Sequence, residues 1–457
     1  MKYNYLILIL FMFLAASLKA VGQQELSLSE AIQLGLERNY DINIEKKNVE
    51  IAENNNSWGQ AGRYPTITLN LNQNNSLTDN VKTASPFQLQ DQTISNSLNP
   101  SVNLDWTLFN GFKINMSKHR LEQLQAQSKG NAEIVIANAI QSIILGYYKA
   151  VLEKERLEEF QKQLHLSRDK YEYTKIKSDI GSAVSTDLLL EETNYLTDST
   201  NFINQELNYR NAIRDLNVLL AEQDVDKTYV LTDELEVEIQ TYEMADLMSK
   251  LNAQNVDLKK QYIAQRILDY DVAISRADKY PRLSFSAGYS HNRSRVDLSN
   301  ATFPSSDGTS TPGPSDPLNA ITDTYFGNFT LSFTLFNGGK INRAIENTLI
   351  TEDIENIRTE RLQNTLYRDL AKAHDEYEIR TRLYRISDRR MQATEKNLQI
   401  SEEKFKNGTI NSFDYRTVQN DNLTAAIQEL QSLYNVIDSK VSLMRLTGGI
   451  IETYLSE

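Results

Sequence analysis

The chain has 457 residues, a formal net charge of -13 at neutral pH, four histidines and no cysteine. An acidic chain without a basic run argues against nucleic acid as a partner. The absence of cysteine excludes a disulfide scaffold, a thiolate metal site and lipid attachment through cysteine at a processed N-terminus.

Residues 1–22 have the pattern of a signal peptide: Lys2, an apolar core of 11 residues from Leu6 to Ala16, then the small run Ala20-Val21-Gly22. Such a core is too short for a retained anchor, which needs about 20 apolar residues. Cleavage is expected after Gly22, with Ala20 as the alternative, and losing Lys2 and Lys19 takes the charge from -13 to -15. No later stretch approaches 18 apolar residues, so no transmembrane helix is expected. The exported chain is therefore secreted, periplasmic or embedded as a β-barrel.

All eight prolines lie in two windows, Pro65 to Pro100 and Pro281 to Pro317. Proline costs a helix interior about 3 kcal/mol, which predicts helix outside the windows and another structure inside them. Helices are expected from Leu28 to Arg63, Lys113 to Ser178, Ala183 to Ala221, Tyr242 to Lys279, Lys340 to Lys406 and Asn411 to Thr447. The segments starting at Lys113 and Lys340 would each be about 100 Å long at 1.5 Å per residue. A seven-residue stripe marks them: Leu370, Tyr377, Tyr384, Met391, Leu398 and Phe405 in one, Ile143, Ala150, Leu157, Leu164 and Tyr171 in the other. Leu423, Leu430, Ile437 and Met444 continue it, and strict sevens predict coiled-coil packing. Gly181 and Gly408 end the two long helices at tight turns.

Inside the windows the period becomes two. Ile67, Leu69 and Leu71 alternate with polar residues, as do Val102, Leu104, Trp106 and Leu108. Leu283, Phe285, Ala287 and Tyr289 follow the same rule, and so do Phe329, Leu331, Phe333 and Leu335. These predict four strands of about eight to ten residues, long enough to cross a bilayer when tilted. Polar loops are expected at Gln73 to Asn99 and Asn292 to Asp323. A half-buried soluble sheet gives the same alternation. If the strands do lie in lipid, four cannot close a barrel, and an open edge there is prohibitive, so copies of the chain must pool strands.

The chain also repeats itself. Leu108-Phe109-Asn110-Gly111 recurs as Leu335-Phe336-Asn337-Gly338, and Gly181, Ser185 and Asp187 recur as Gly408, Ser412 and Asp414, all 227 positions later. Tyr64-Pro65 recurs as Tyr280-Pro281 at an offset of 216. A unit of this length is a duplicated tertiary module rather than a solenoid repeat. The division reads as a signal peptide (1–22), a first repeat (23–221), a linker (222–241) holding a short strand at Tyr229 to Leu231, a second repeat (242–449) and a tail (450–457).

With these strand-to-helix junctions, and with the turns Tyr173 to Glu192 and Phe405 to Gln419, the chain resembles the TolC-type outer-membrane efflux channels over about Glu25 to Gly449. The resemblance implies an α+β membrane protein with an internal two-fold repeat. Three chains would give four strands each to one 12-stranded β-barrel, continued by a long periplasmic α-helical barrel. It implies a passive exit channel of a tripartite efflux system, localised to the outer membrane, with a homotrimer, a periplasmic adaptor, an inner-membrane pump and outer-membrane lipid as partners. A protein or peptide secretion channel, or an exported coiled-coil scaffold, are the alternatives. No enzymatic activity, cofactor or metal is expected, because His119, His165, His291 and His374 are scattered and no phosphate loop or nucleophile turn occurs.

The implied site is the periplasmic entrance: Thr186, Asp187, Asp414, Leu398 and Phe405, with the adaptor docking at the turns of Gly181 and Gly408. Asp187 and Asp414 would form threefold rings favouring cations, although early-helix carboxylates are favoured by the macrodipole in any case. Ile410, Phe405 and Thr417 stand where the family's best-known pattern has an arginine, a tyrosine and an aspartate. A salt-bridge latch is therefore in doubt, and apolar packing near Leu398 and Phe405 is the expected closure. Leu69, Leu104, Trp106, Phe285, Leu331 and Phe333 are the expected membrane-facing strand residues.

Overall fold

The computed structural model describes residues 24–84, 87–304 and 309–455; the signal-peptide reading and its cleavage point lie outside them. In chain order the elements are β1 (Gln24–Leu26), α1 (Leu28–Arg38), α2 (Tyr40–Asn55), β2 (Thr66–Ala84), β3 (Phe87–Asn110), α3 (Lys113–Asp179), α4 (Ser185–Leu219) and β4 (Tyr229–Leu231). They continue as α5 (Met244–Gln254), α6 (Val256–Ala277), β5 (Arg282–Asp297), β6 (Thr302–Pro304), β7 (Ser310–Pro312), β8 (Leu318–Ser332), α7 (Lys340–Lys406), α8 (Ser412–Leu446) and α9 (Gly449–Leu455). Helices α3 and α7 have 67 residues each, and α4 and α8 have 35 each. Both pairs start 227 positions apart, the offset of the sequence repeat.

The chain divides into two compact units. The first holds the described residues up to Val49, Ser128–Tyr262 and those from Arg358 onward. Its main core joins Ile140, Ile143, Ile144 and Tyr147 of α3 to Leu216 of α4 and to Leu433, Ile437 and Val441 of α8. Each fully buried side chain of this size contributes about 1.5–3 kcal/mol. One window of α3 is long and apolar enough to cross a membrane by composition. Alanines and short polar residues interrupt it as a sequence run, and its isoleucines are spent on this core. Strand β4 lies where the sequence placed it and pairs in parallel with β1. Tyr147 donates its hydroxyl to Leu26 O (2.9 Å) and to Asp233 Oδ2 (2.6 Å), tying α3 to both segments.

The first expected helix of each repeat is in fact two. Asn39 breaks one: its Oδ1 accepts from the backbone of Asp41 (3.0 Å) and Ile42 (3.2 Å), and its Nδ2 donates to Leu219 O (3.2 Å). Asn255 breaks the other: Oδ1 accepts from Leu258 N (2.9 Å) and Nδ2 donates to Leu446 O (2.9 Å). Leu219 and Leu446 are the last residues of α4 and α8. Each asparagine thus serves two helix ends at once, supplying backbone partners that the ends lack.

The second unit, Glu50–Gln127 with Ile263–Ile357, contains an open antiparallel sheet in the order β2-β3-β5-β8. Leu69 pairs with Val102, Val102 with Tyr289 and Tyr289 with Tyr325, so one face collects Leu69, Leu104, Trp106, Phe285 and Leu331. The opposite face carries Asn70, Asn103, Asp105, Ser284 and Thr330. On the apolar face Phe285 meets Phe329 at 4.7 Å and Tyr289 meets Tyr325 at 4.8 Å between ring centres. Trp106 Nε1 donates to Arg63 O at 2.9 Å. At the strand-to-helix junction Gly111 has φ +69°, and a Cβ there would lie 2.5 Å from the Ala277 carbonyl oxygen, so only glycine fits.

Two strand readings need correction. β2 and β3 have 19 and 24 residues, so Gln73–Ala84 and Phe87–Asn99, expected as loop, are paired strand. Polar residues there fill both faces, which erases the alternation that marks a strand. Pro100 is accommodated because β3 keeps its pairing with β2 at Leu71, while the β5 register skips from Leu98 to Ser101. At the other end Phe333 and Leu335 lie beyond β8. Its last pair is Ser332 with Arg282, the first residue of β5, so no partner remains.

Candidate functional site at the helical turns

Helix α4 carries a stripe that apolar counting misses. Glu191, Asp198, Gln205 and Ala212 are seven apart and all buried, so polar side chains occupy the inward seats toward the turn. Helix α3 answers with buried Gln163, Ser167 and Lys170. Their partners come from both copies of the repeat. Lys170 Nζ lies 3.1 Å from Glu191 Oε1 and donates to Ser412 O at 3.1 Å, while the Ser412 hydroxyl donates to the same Glu191 oxygen. The ammonium also sits 5.0 Å from the Phe405 ring centre and 5.4 Å from that of Tyr415. One layer on, Arg416 forks onto Asp198 at 2.6 and 2.7 Å, and Gln163 donates to Asp198 Oδ2 at 3.4 Å.

Burial holds the Lys170 ammonium below the usual lysine range, against the opposing pull of Glu191. Buried pairs of this kind add little net stability, yet removing one partner strands the other charge. Their effect here is to join α3 and α4 of the first repeat to α8 of the second.

Both turns have the same local geometry. Gly181 and Gly408 have φ of +73° and +71°. Ser182 N–H reaches Lys177 O (2.7 Å) and Gly181 N–H reaches Ser178 O (3.0 Å); Thr409 and Gly408 repeat this with Lys404 O (2.9 Å) and Phe405 O (3.0 Å). This is the Schellman closure expected of a C-terminal glycine. The helices that follow start differently. Asn411 caps α8, accepting from Asp414 N (2.8 Å) and donating to Asp414 Oδ2 (2.9 Å), whereas Val184 gives α4 no side-chain cap.

The expected residues are thus partly gathered. A cleft of about 900 Å³ is lined by Asp187, Phe405 and Gly408, together with Lys170, Ile410 and Ser412. Asp187, Asp414 and Thr186 are exposed first-turn residues, and Asp414, Thr186, Gly181 and Leu398 do not line the cleft. Phe405 is half-buried and stacks on Tyr415 at 4.9 Å, and Leu398 is half-buried seven residues earlier. The apolar contact is therefore built around a charge, a partner the sequence reading did not supply. Extending the count of sevens to polar residues in α4 would have pointed to it. Among the described residues, no group of His, Asp and Glu is arranged to hold a metal ion.

A family model described as outer membrane efflux protein matches residues 31–222 and 247–449. Among solved structures, the chain is similar to the Campylobacter jejuni CmeC outer membrane channel, with TM-score 0.71 and 16% identity over 92% of this chain and 85% of that one. It is also similar to a membrane protein from Pseudomonas aeruginosa (TM-score 0.70, 15% identity, 93% and 91% covered). The open state of the Neisseria gonorrhoeae MtrE outer membrane channel gives TM-score 0.66 and 15% identity, with 92% and 88% covered. At such identities the likeness is one of fold. A comparison with curated proteins gave no match.

Proposed function

The chain belongs to the outer membrane efflux protein family, and from that premise we propose that it is the exit channel of a tripartite efflux system. Three copies, each built from two structural repeats, pool four strands apiece into a 12-stranded outer-membrane barrel and extend a helical barrel into the periplasm. Substrate arrives from an inner-membrane pump through a periplasmic adaptor, and the channel itself is a passive conduit without catalytic group or cofactor.

The observation that carries this reading is the sheet. Over Thr66–Leu71, Val102–Leu108 and their β5 and β8 partners it has one apolar face and one polar face, it leads into helices of 67 residues, and among the described residues β2 and β8 are each paired on one side only. In lipid those edges require partners, which other copies supply. Leu69, Leu104, Trp106, Phe285 and Leu331 are assigned to the lipid side. The helical turns form the periplasmic entrance: Thr186, Asp187 and Asp414 at the mouth, Leu398 and Phe405 in the closing contact, Gly181 and Gly408 where the adaptor docks.

Three measurements test it together. The protein should leave outer membranes only with detergent, conduct in planar bilayers, and expose a tag inserted near Thr83, at the end of β2, to label on intact cells. Release without detergent and no conductance would leave an exported helical scaffold as the better reading.

A further inference from the structure

Strand β5 changes character along its lipid-side face. That face runs Phe285, Ala287 and Tyr289, then His291, Arg293 and Arg295, and the register with β8 is unbroken from Arg282 to Val296. The two arginines therefore belong to the face of Phe285 and Leu104, since side chains alternate without interruption. On the polar face the same stretch of β5 offers only Asn292 and Ser294. Positive charge is concentrated on the side that carries the apolar band.

The strand sets the height of each residue. Tyr280, exposed just before β5, and Tyr289 are nine residues apart. At about 3.4 Å per residue and a tilt of about 40° they are separated by about 24 Å, close to the height of the apolar band of such barrels. Arg293 and Arg295 then stand about 10 and 16 Å beyond Tyr289, at the depth of the headgroups. Their lateral neighbours are neutral: Leu98 and Ile321 flank Arg293, and Asn96 and Asn319 flank Arg295. The adjoining carboxylates are engaged elsewhere. Asp323 Oδ1 meets His291 Nδ1 (2.7 Å) and accepts from the Tyr289 hydroxyl (2.8 Å), and Asp297 Oδ1 accepts from Ser299 N (3.0 Å). Both arginines are exposed, and among the described residues neither side chain makes a hydrogen bond or ion pair.

We propose that Arg293 and Arg295 bind the phosphate groups of an anionic lipid in the outer leaflet. A guanidinium forks onto two phosphate oxygens, and a second one about 7 Å along the same face suits a headgroup carrying more than one phosphate. Each copy of the chain brings one such site to the outside of the barrel. This rests on the channel reading above and names its lipid partner.

The test uses the detergent-solubilised oligomer with diphosphorylated lipid A, with zwitterionic phosphatidylcholine or with inorganic phosphate, followed by native mass spectrometry. Lipid A should be retained in preference to phosphatidylcholine, and millimolar inorganic phosphate should not displace it. Arg293→Ala with Arg295→Ala should weaken retention about tenfold or more, the scale of one charge-assisted contact. Arg293→Lys with Arg295→Lys should fall between, because the charge stays and the fork is lost. Asn292→Ala with Ser294→Ala, on the opposite face, should bind as the unaltered chain does. Equal retention of lipid A by the alanine pair, equal retention of the zwitterionic lipid, or displacement by inorganic phosphate would each overturn the headgroup site. If the unaltered chain conducts while any of these holds, only this site is lost. If it neither inserts nor conducts, the channel reading falls with it.

Discussion

Lys170 touches Glu191, the Ser412 carbonyl and two aromatic rings, and no neutral side chain can replace all of these. Lys170→Met should cost about 3–5 kcal/mol by leaving the Glu191 carboxylate buried without its cation. Lys170→Met with Glu191→Leu should recover most of that in thermal melts, and an equally severe double variant would show that the loss came from packing. Asp414→Ala should behave differently, since Asp414 is exposed at the start of α8. A macrodipole contribution of about 0.3–1 kcal/mol is all that stability should lose, while cation preference in planar bilayers should weaken. A third residue sets a pH dependence. Burial, with Asp388, Glu155 and Glu159 nearby, raises the Glu429 carboxyl above its ordinary value of 4.5. The folded state then binds more protons than the unfolded one from that value up to the raised one, so this residue's share of stability falls as pH rises through the window. Glu429→Gln should raise the melting temperature at pH 7 and change it little below pH 4.5. Asp414 was legible through the repeat, but Lys170, Glu191 and Glu429 did not stand out in the sequence, because a coiled-coil stripe is found by its apolar members and these buried positions are charged.

Elements were more legible than residues. The helices starting at Lys113 and Lys340 were readable because nothing in some 67 residues breaks them. The turn glycines were readable because a positive φ admits little else. Gly408→Ala should cost about 1–2 kcal/mol through the left-handed conformation alone, measured as a lowered melting temperature. The break at Asn39 was hidden, since asparagine is tolerated inside a helix and its capping role depends on the distant Leu219 carbonyl. Asn39→Ala should cost about 1 kcal/mol in capping, and Asn255→Ala a similar amount. The outer halves of β2 and β3 were hidden for another reason, as strands with polar residues on both faces lack the period by which strands are recognised.

For the whole molecule, the sheet face decides between membrane and solvent. Leu104→Arg should destabilise the assembled channel by about 2–4 kcal/mol per chain near the bilayer midplane, read as loss of oligomer on gels. Asn103→Arg, on the opposite face, should leave assembly intact and change conductance. Equal loss from both would mean that no barrel forms. The buried ion pairs also set a mechanical inequality. Lys170, Glu191, Asp198 and Arg416 have as their repeat counterparts Asn397, Val418, Ala425 and Leu189. The contact between the two repeats of one chain is therefore riveted by charge, and the positions that repeat it on the other copy carry no such residues. If three chains close the proposed helical barrel, seams within a chain should be stiffer than seams between chains. Such a barrel should open as three rigid leaves swinging at the seams between chains, not as six staves moving independently.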